Sequence, residues 1–383
     1  RKVVSKLPEK NVYVEHGKED MGGRRKKTMI SIGVVLIMLL AASIFFGFRQ
    51  KNLLNFRASY EVRLVEAETA YSDSLLQKDA NPTQARELFA KSQGLVSSLV
   101  SEGIKDKRIS ELSVKLEQNK VAILGKVEGN AVVLRDLSIL RSDITTSQVA
   151  LHKGTLGILD LGGKRVIVSS TDGKETTVIG GPEKLGTPQH VAVYADRYFV
   201  LSDRGIVELD RKGVAKVAVQ SDSEWGEIAG MAAFSGNLYL VDKAGQVWRY
   251  QAIENGFSAK QKWLGQGVEP DLSKTVDIAI DSSVWLLSSS GKVSKFTRGS
   301  PDSFSISGVS DGIVSPSALY TDENLDNIYI LDKLGGKVVE VSKKGEYRKQ
   351  YVAEGLKEAK DFVVAGGKIL VLTETKLLEI ELK

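Results

Sequence analysis

The 383-residue chain contains no cysteine, which excludes disulfides, thiolate nucleophiles and cysteine-based metal sites. Histidine is nearly as scarce, and His16, His152 and His190 are too few and too scattered for a His-rich metal centre. Several catalytic signatures are missing too. The glycines of "LGGK" and "KAGQ" sit in hairpin turns that need positive φ, not in a phosphate-binding loop. No G-x-S-x-G elbow precedes a helix. "TDGKE" and "SDGIV" have too few carboxylates for a calcium loop. Excess basic charge is absent from the body as well: residues 1–27 carry the whole formal charge of +5, and the balanced remainder argues against a basic face. Nucleic-acid binding needs a basic face to release counterions, so it is not expected.

What is present begins with "TMISIGVVLIMLLAASIFFGF", residues 28–48, a run of 21 uncharged residues long enough to cross a bilayer. It follows "GRRKK", and basic flanks stay on the cytoplasmic side. The expectation is a single-pass protein of the cell membrane with a basic cytoplasmic tail over 1–27, a transmembrane helix over 28–48 and an extracytoplasmic remainder. Because the chain begins at Arg1 rather than Met, it reads as a piece of a longer or processed polypeptide.

Residues 49–125 read as a helical stalk. The first segment runs without Gly or Pro to Asn81-Pro82, where a new helix can start. Ala85, Leu88, Phe89, Ser92, Leu95, Val96 and Leu99 then recur at helical spacing, as do Ile109, Leu112, Leu116 and Ile123 in a third helix. Packing among these helices and self-association through them are both compatible with the pattern.

Over 126–383 helical periodicity gives way to short Val/Ile/Tyr-rich runs between turn residues. "NLYLVDKAGQVWRY" (237–250) returns as "SVWLLSSSGKVSKF" (283–296) and, with one insertion, as "NIYILDKLGGKVVEV" (327–341); looser copies start near 155, 197 and 368. The residue closing the second strand of each copy is Asp160, Asp203, Asp242, Ser288, Asp332 and Thr373, at intervals of 43, 39, 46, 44 and 41. Each Asp is expected to cap the turn after it. Four short antiparallel strands at this period predict a mainly β, six-bladed β-propeller. The last copy ends after its third strand, and "NAVVLRDLSIL" (130–140) is expected to supply the missing outer one and close the ring.

The patterns "DIAI…VWLL" and "NIYILD…GGKVVEVSKKGE" resemble the NHL family and related six-bladed propellers, departing from them at Ser288 and Thr373, where Asp is usual. The order of tail, span, stalk and propeller resembles the later part of bacterial receptor-type signalling proteins. That resemblance implies a kinase or PPM-type phosphatase domain upstream.

The first strand of each blade lines the channel of a propeller, so Gln148, His190, Gly230, Asp277, Ser317 and Asp361 are expected to form a polar ring at one channel mouth. Gln148, His190, Asp277, Ser317 and Asp361 are the candidate ligand-binding residues; the competing reading has them bonding neighbouring backbone. Trp225 and Trp263 could anchor a partner or fill gaps between blades. No nucleophile–base pair is evident, so this segment is expected to be no enzyme, to need no metal or cofactor, and to act as a membrane-anchored sensor or scaffold for a protein or envelope ligand. The alternative is a membrane-tethered hydrolase or lyase with a metal in the channel mouth.

Overall fold

The computed structural model describes residues 21–309 and 311–382. Most of the basic tail expected over 1–27 lies outside the described residues.

Helix α1 (Met21–Gln77) runs without a break through the apolar segment and into the stalk. The boundary expected after residue 48 is therefore not a break in structure. A lone Gly47 in a helix interior costs about 1 kcal/mol, which does not interrupt a helix of this length. From Ile32 onward α1 is long and apolar enough to cross a membrane. At 1.5 Å per residue its 57 residues span about 85 Å.

Helices α2 (Pro82–Ser101) and α3 (Lys107–Leu124) pack against the C-terminal part of α1. Asn81 and Asp106 cap their first turns by accepting from Gln84 and Arg108 N–H. The apolar stripes meet in one small core built on Leu64, Phe89, Leu99, Ile109 and Leu116. Gly125 ends α3 at φ 66°, and a Cβ there would lie 2.8 Å from the Arg348 carbonyl, so both conformation and space require glycine.

The stalk is bonded to the body. Gly125 O accepts from Gln350 N–H at 2.9 Å, and Leu124 O accepts from Tyr347 O–H at 2.9 Å. The buried Arg86 of α2 donates to Tyr347 O at 3.0 Å, with its guanidinium 4.7 Å from the centre of the Tyr347 ring.

The body is a six-bladed β-propeller. The blades open with inner strands Thr146–His152, Pro188–Tyr194, Ile228–Phe234, Thr275–Ile280, Pro316–Tyr320 and Asp361–Ala365. These pack one against the next, and the last returns to the first. Blade 6 is completed by Val132–Asp136, which pairs antiparallel with Lys376–Glu381, so the ring closes through the N-terminal segment as expected. One addition has no counterpart in the repeat pattern: Lys126–Glu128 runs parallel to Tyr347–Val352 and adds a fifth strand to blade 5. The chain leaving the stalk thus binds two adjacent blades in succession.

The repeated Asp does more than cap the following turn. Asp160 accepts from Thr145 and Gly163 N–H, Asp242 from Gly226 and Ala244, and Asp332 from Val314, Ser315 and Gly335. Each carboxylate therefore ties the turn after the second strand to the segment that leads into the same blade's inner strand. Asp203 does part of this through Thr187 N–H. Ser288 and Thr373 reach only their own turns, through Ser290 and Lys376 N–H.

Candidate functional site in the central channel

Five of the six inner strands carry a register shift against their partners at the same place: between Thr146 and Gln148, Pro188 and His190, Ile228 and Gly230, Thr275 and Asp277, and Pro316 and Ala318. A bulge re-aims the next side chain. Here it places Gln148, His190, Gly230 and Asp277 at equivalent positions, and Asp361 joins them by pairing with Leu372 just before Thr373.

The equivalent residue in blade 5 is Ala318, which pairs with Leu331, not Ser317. Ser317 is the bulged residue and its hydroxyl lies 3.5 Å from its own blade's Leu331 O. Its assignment to the ring is therefore corrected. A bulge shifts facing by one residue, and the spacing of the inner strands in sequence does not reveal it.

The ring side chains reach across blade boundaries. Gln148 Oε1 accepts from Val191 N–H of blade 2, and Gln148 Nε2 donates to His190 Nδ1 at 3.1 Å. With Nδ1 accepting, His190 Nε2 carries the proton and donates to Ile228 O of blade 3 at 3.1 Å. Both ring nitrogens are engaged, and burial lowers the imidazole below its ordinary value. His190 is thus a neutral connector between blades.

Asp277 accepts from Ile278 N–H at 2.8 Å and from Leu319 N–H of blade 5 at 2.7 Å. Asp361 does the same with Phe362 N–H at 2.8 Å and Val149 N–H of blade 1 at 2.8 Å. Four junctions between blades are stapled in this way. Gly230 and Ala318 make no such hydrogen bond at the other two, and across the junction of blades 5 and 6 Tyr320 instead meets Phe362 edge-on.

The two carboxyls differ from the rest of the ring in charge. Burial pushes Asp277 up to about 7, against the pull of its two backbone donors. Burial, and then the charge of Asp277, holds Asp361 well above the ordinary carboxylate range. Among the described residues no Lys or Arg offsets either one. A carboxylate offers about four lone-pair sites, and the backbone donors take two of them.

Gln148, Asp277 and Asp361 line a cavity of about 600 Å³ along the channel. The cavity continues past Ala150, Met231 and Leu319 to the turns joining first and second strands, at His152-Lys153, Tyr194, Ser235, Asp322-Glu323 and Gly366. The expected mouth thus forms the inner end of the cavity, which reaches to the opposite end of the inner strands. His190 and Ser317 are not among its lining residues. Among the described residues no group of three or more His, Asp or Glu is placed to hold a metal ion, so the channel metal of the alternative reading has no ligand set.

The two tryptophans are packing residues. Trp225 donates to Tyr250 O–H at 2.8 Å, and Trp263 meets Tyr239 edge-on. Both pack against blade cores.

Sequence and structure together define the class: a six-bladed β-propeller following a helical stalk and an apolar helix. No family model matches the chain, and no curated protein does. The NHL resemblance therefore rests on the repeat pattern alone. Solved structures share the fold at low identity. A gluconolactonase from Xanthomonas campestris is 16% identical, with 67% of this chain and 90% of that chain covered and a TM-score of 0.49. A virginiamycin B lyase from Staphylococcus aureus is 12% identical, with 65% and 98% covered and a TM-score of 0.47. A calcium-binding protein, regucalcin, from Agrobacterium tumefaciens is 13% identical, with 67% and 97% covered and a TM-score of 0.49. The expectation that this segment is no enzyme is corrected: the solved structures it is similar to include a gluconolactonase and a lyase.

Proposed function

We propose that the chain is a membrane-tethered propeller whose channel takes up a small ligand and performs acid–base chemistry on it, of the hydrolase or lyase type. The observation that carries this reading is the pair Asp277 and Asp361 at the inner end of a 600 Å³ cavity. That volume lies within the usual range of small-molecule sites, roughly 300–1,000 Å³. Two carboxyls that cannot both ionise easily provide a proton donor and an acceptor near neutral pH, the condition for general acid and base catalysis. In this reading the propeller lies outside the cell, since "GRRKK" precedes the apolar run. Self-association belongs to the same proposal, through the exposed Val62, Val65 and Leu76 of α1.

The test is turnover of a panel of lactones and esters by the whole chain in detergent micelles, compared with Asp277→Asn and Asp361→Asn. The expected result is a loss of about 10²-fold or more with each variant still folded, the usual size of a general acid–base contribution. Undiminished turnover in the folded double variant removes the two carboxyls from the chemistry. Cross-linking in the membrane reads the oligomeric state.

A further inference from the structure

The cavity is unlike at its two ends. At the inner end Asp277 and Asp361 face the channel with no cationic side chain beside them among the described residues. Buried carboxylates without a counter-ion are costly, and an incoming ammonium would relieve them. The middle is uniform in chemistry: Ala150, Ala192, Met231, Ala232, Ala279 and Leu319 offer apolar side chains and backbone.

The outer end is charged again, with opposite signs on its two sides. Blade 1 contributes Lys153, which is exposed and has no ion-pair partner among the described residues. Beside it His152 Nδ1 accepts from Ala195 N–H at 3.0 Å, so Nε2–H remains a donor. Blade 5 contributes Asp322 and Glu323. Blade 6, between them, presents only Ala365 and Gly366 to the cavity here and so leaves a gap in the wall.

Resting on the channel reading above, we infer that the ligand is an elongated dipolar molecule, a short peptide with free ends. Its ammonium sits on Asp277 and Asp361, and its carboxylate sits on Lys153 and His152. Size agrees. From Gln148 to His152 the inner strand advances about 13 Å at 3.3 Å per residue, the length of an extended peptide of three or four residues. The acidic side at Asp322 and Glu323 repels the same carboxylate and directs it to the blade 1 wall.

The experiment is calorimetric titration of the whole chain in micelles at pH 7 with four probes: tri-alanine, N-acetyl-tri-alanine, tri-alanine amide, and the peptide blocked at both ends. Tri-alanine is expected to bind, acetylation to weaken it more than tenfold, and amidation to weaken it several-fold. Lys153→Ala should make the free and amidated peptides equal, while Glu323→Gln, which removes a repulsion, should widen their difference. Equal binding of the acetylated peptide overturns the inference. So does loss of the preference for a free amino end in Glu323→Gln, which would mean a reversed ligand with its ammonium on the acidic wall. Absence of binding by all four probes also overturns it. The acid–base reading is judged separately, by ester and lactone turnover in the Asn variants.

Discussion

Asp277→Asn should change how stability depends on pH, with a size that can be worked out in advance. The Asp277 carboxyl, ordinarily at 3.8, is pushed up to about 7, chiefly by burial. Its proton is held more tightly in the folded chain than in the unfolded one. Between the two values the unfolded chain has lost a proton that the folded chain keeps, so this group's contribution falls as pH rises and stays low above pH 7. At about 1.4 kcal/mol per unit, the loss from pH 5 to pH 8 is about 2–3 kcal/mol. Asp361, raised by burial and then by Asp277, acts in the same direction. The lowered His152 and His190 act oppositely below their ordinary 6.5, so the quantity to measure is the difference between parent and variant. The substitution removes one raised carboxyl and the charge that helps raise the other. It also turns an amide NH2 toward the N–H of Ile278 or Leu319, at about 1–3 kcal/mol at every pH. The variant should be the weaker protein at pH 5 and draw level with the parent near pH 8. The assay is urea unfolding of the whole chain in micelles from pH 5 to 8, followed by fluorescence of the buried Trp248 and Trp285. A parent–variant difference that is constant with pH refutes the reasoning.

The repeated Asp and the two joints give further expectations. Asp332→Ser takes the carboxylate from three part-buried backbone donors, two of them in exposed residues, and should destabilise by about 1–3 kcal/mol in urea unfolding, the cost of about one buried donor left unmet; an unchanged stability contradicts the tie between turn and inner strand. Deleting residues 130–136 removes the outer strand of blade 6 and exposes the edge of Lys376–Glu381, so light scattering should show association that the parent lacks. Arg86→Ala removes the hydrogen bond to Tyr347 O and the stacking on its ring, worth about 1–3 kcal/mol together. Limited proteolysis around Gly125–Gly129 should then speed up several-fold, and an unchanged rate would show that the β-addition at Lys126–Glu128 alone holds the joint.

Much of this protein is written locally. The apolar run, the buried faces of α2 and α3, the six repeats and the strand that closes blade 6 follow from helical spacing, alternation and turn residues, all of which act within a few positions along the chain. The continuity of α1 follows from the same local rules once Gly47 is seen to be too weak to stop it. Other features depend on contacts between distant residues. Lys126–Glu128 has little strand character until Tyr347–Val352 offers it an edge. The bulges that set Gln148, His190 and Asp277 into one ring, and that put Ala318 rather than Ser317 there, arise from pairing with the second strand. Asp277 and Asp361 lie 84 positions apart in the sequence. Ring closure brings them to one end of a cavity, and burial there, rather than their identity, makes them a pair that resists losing both protons.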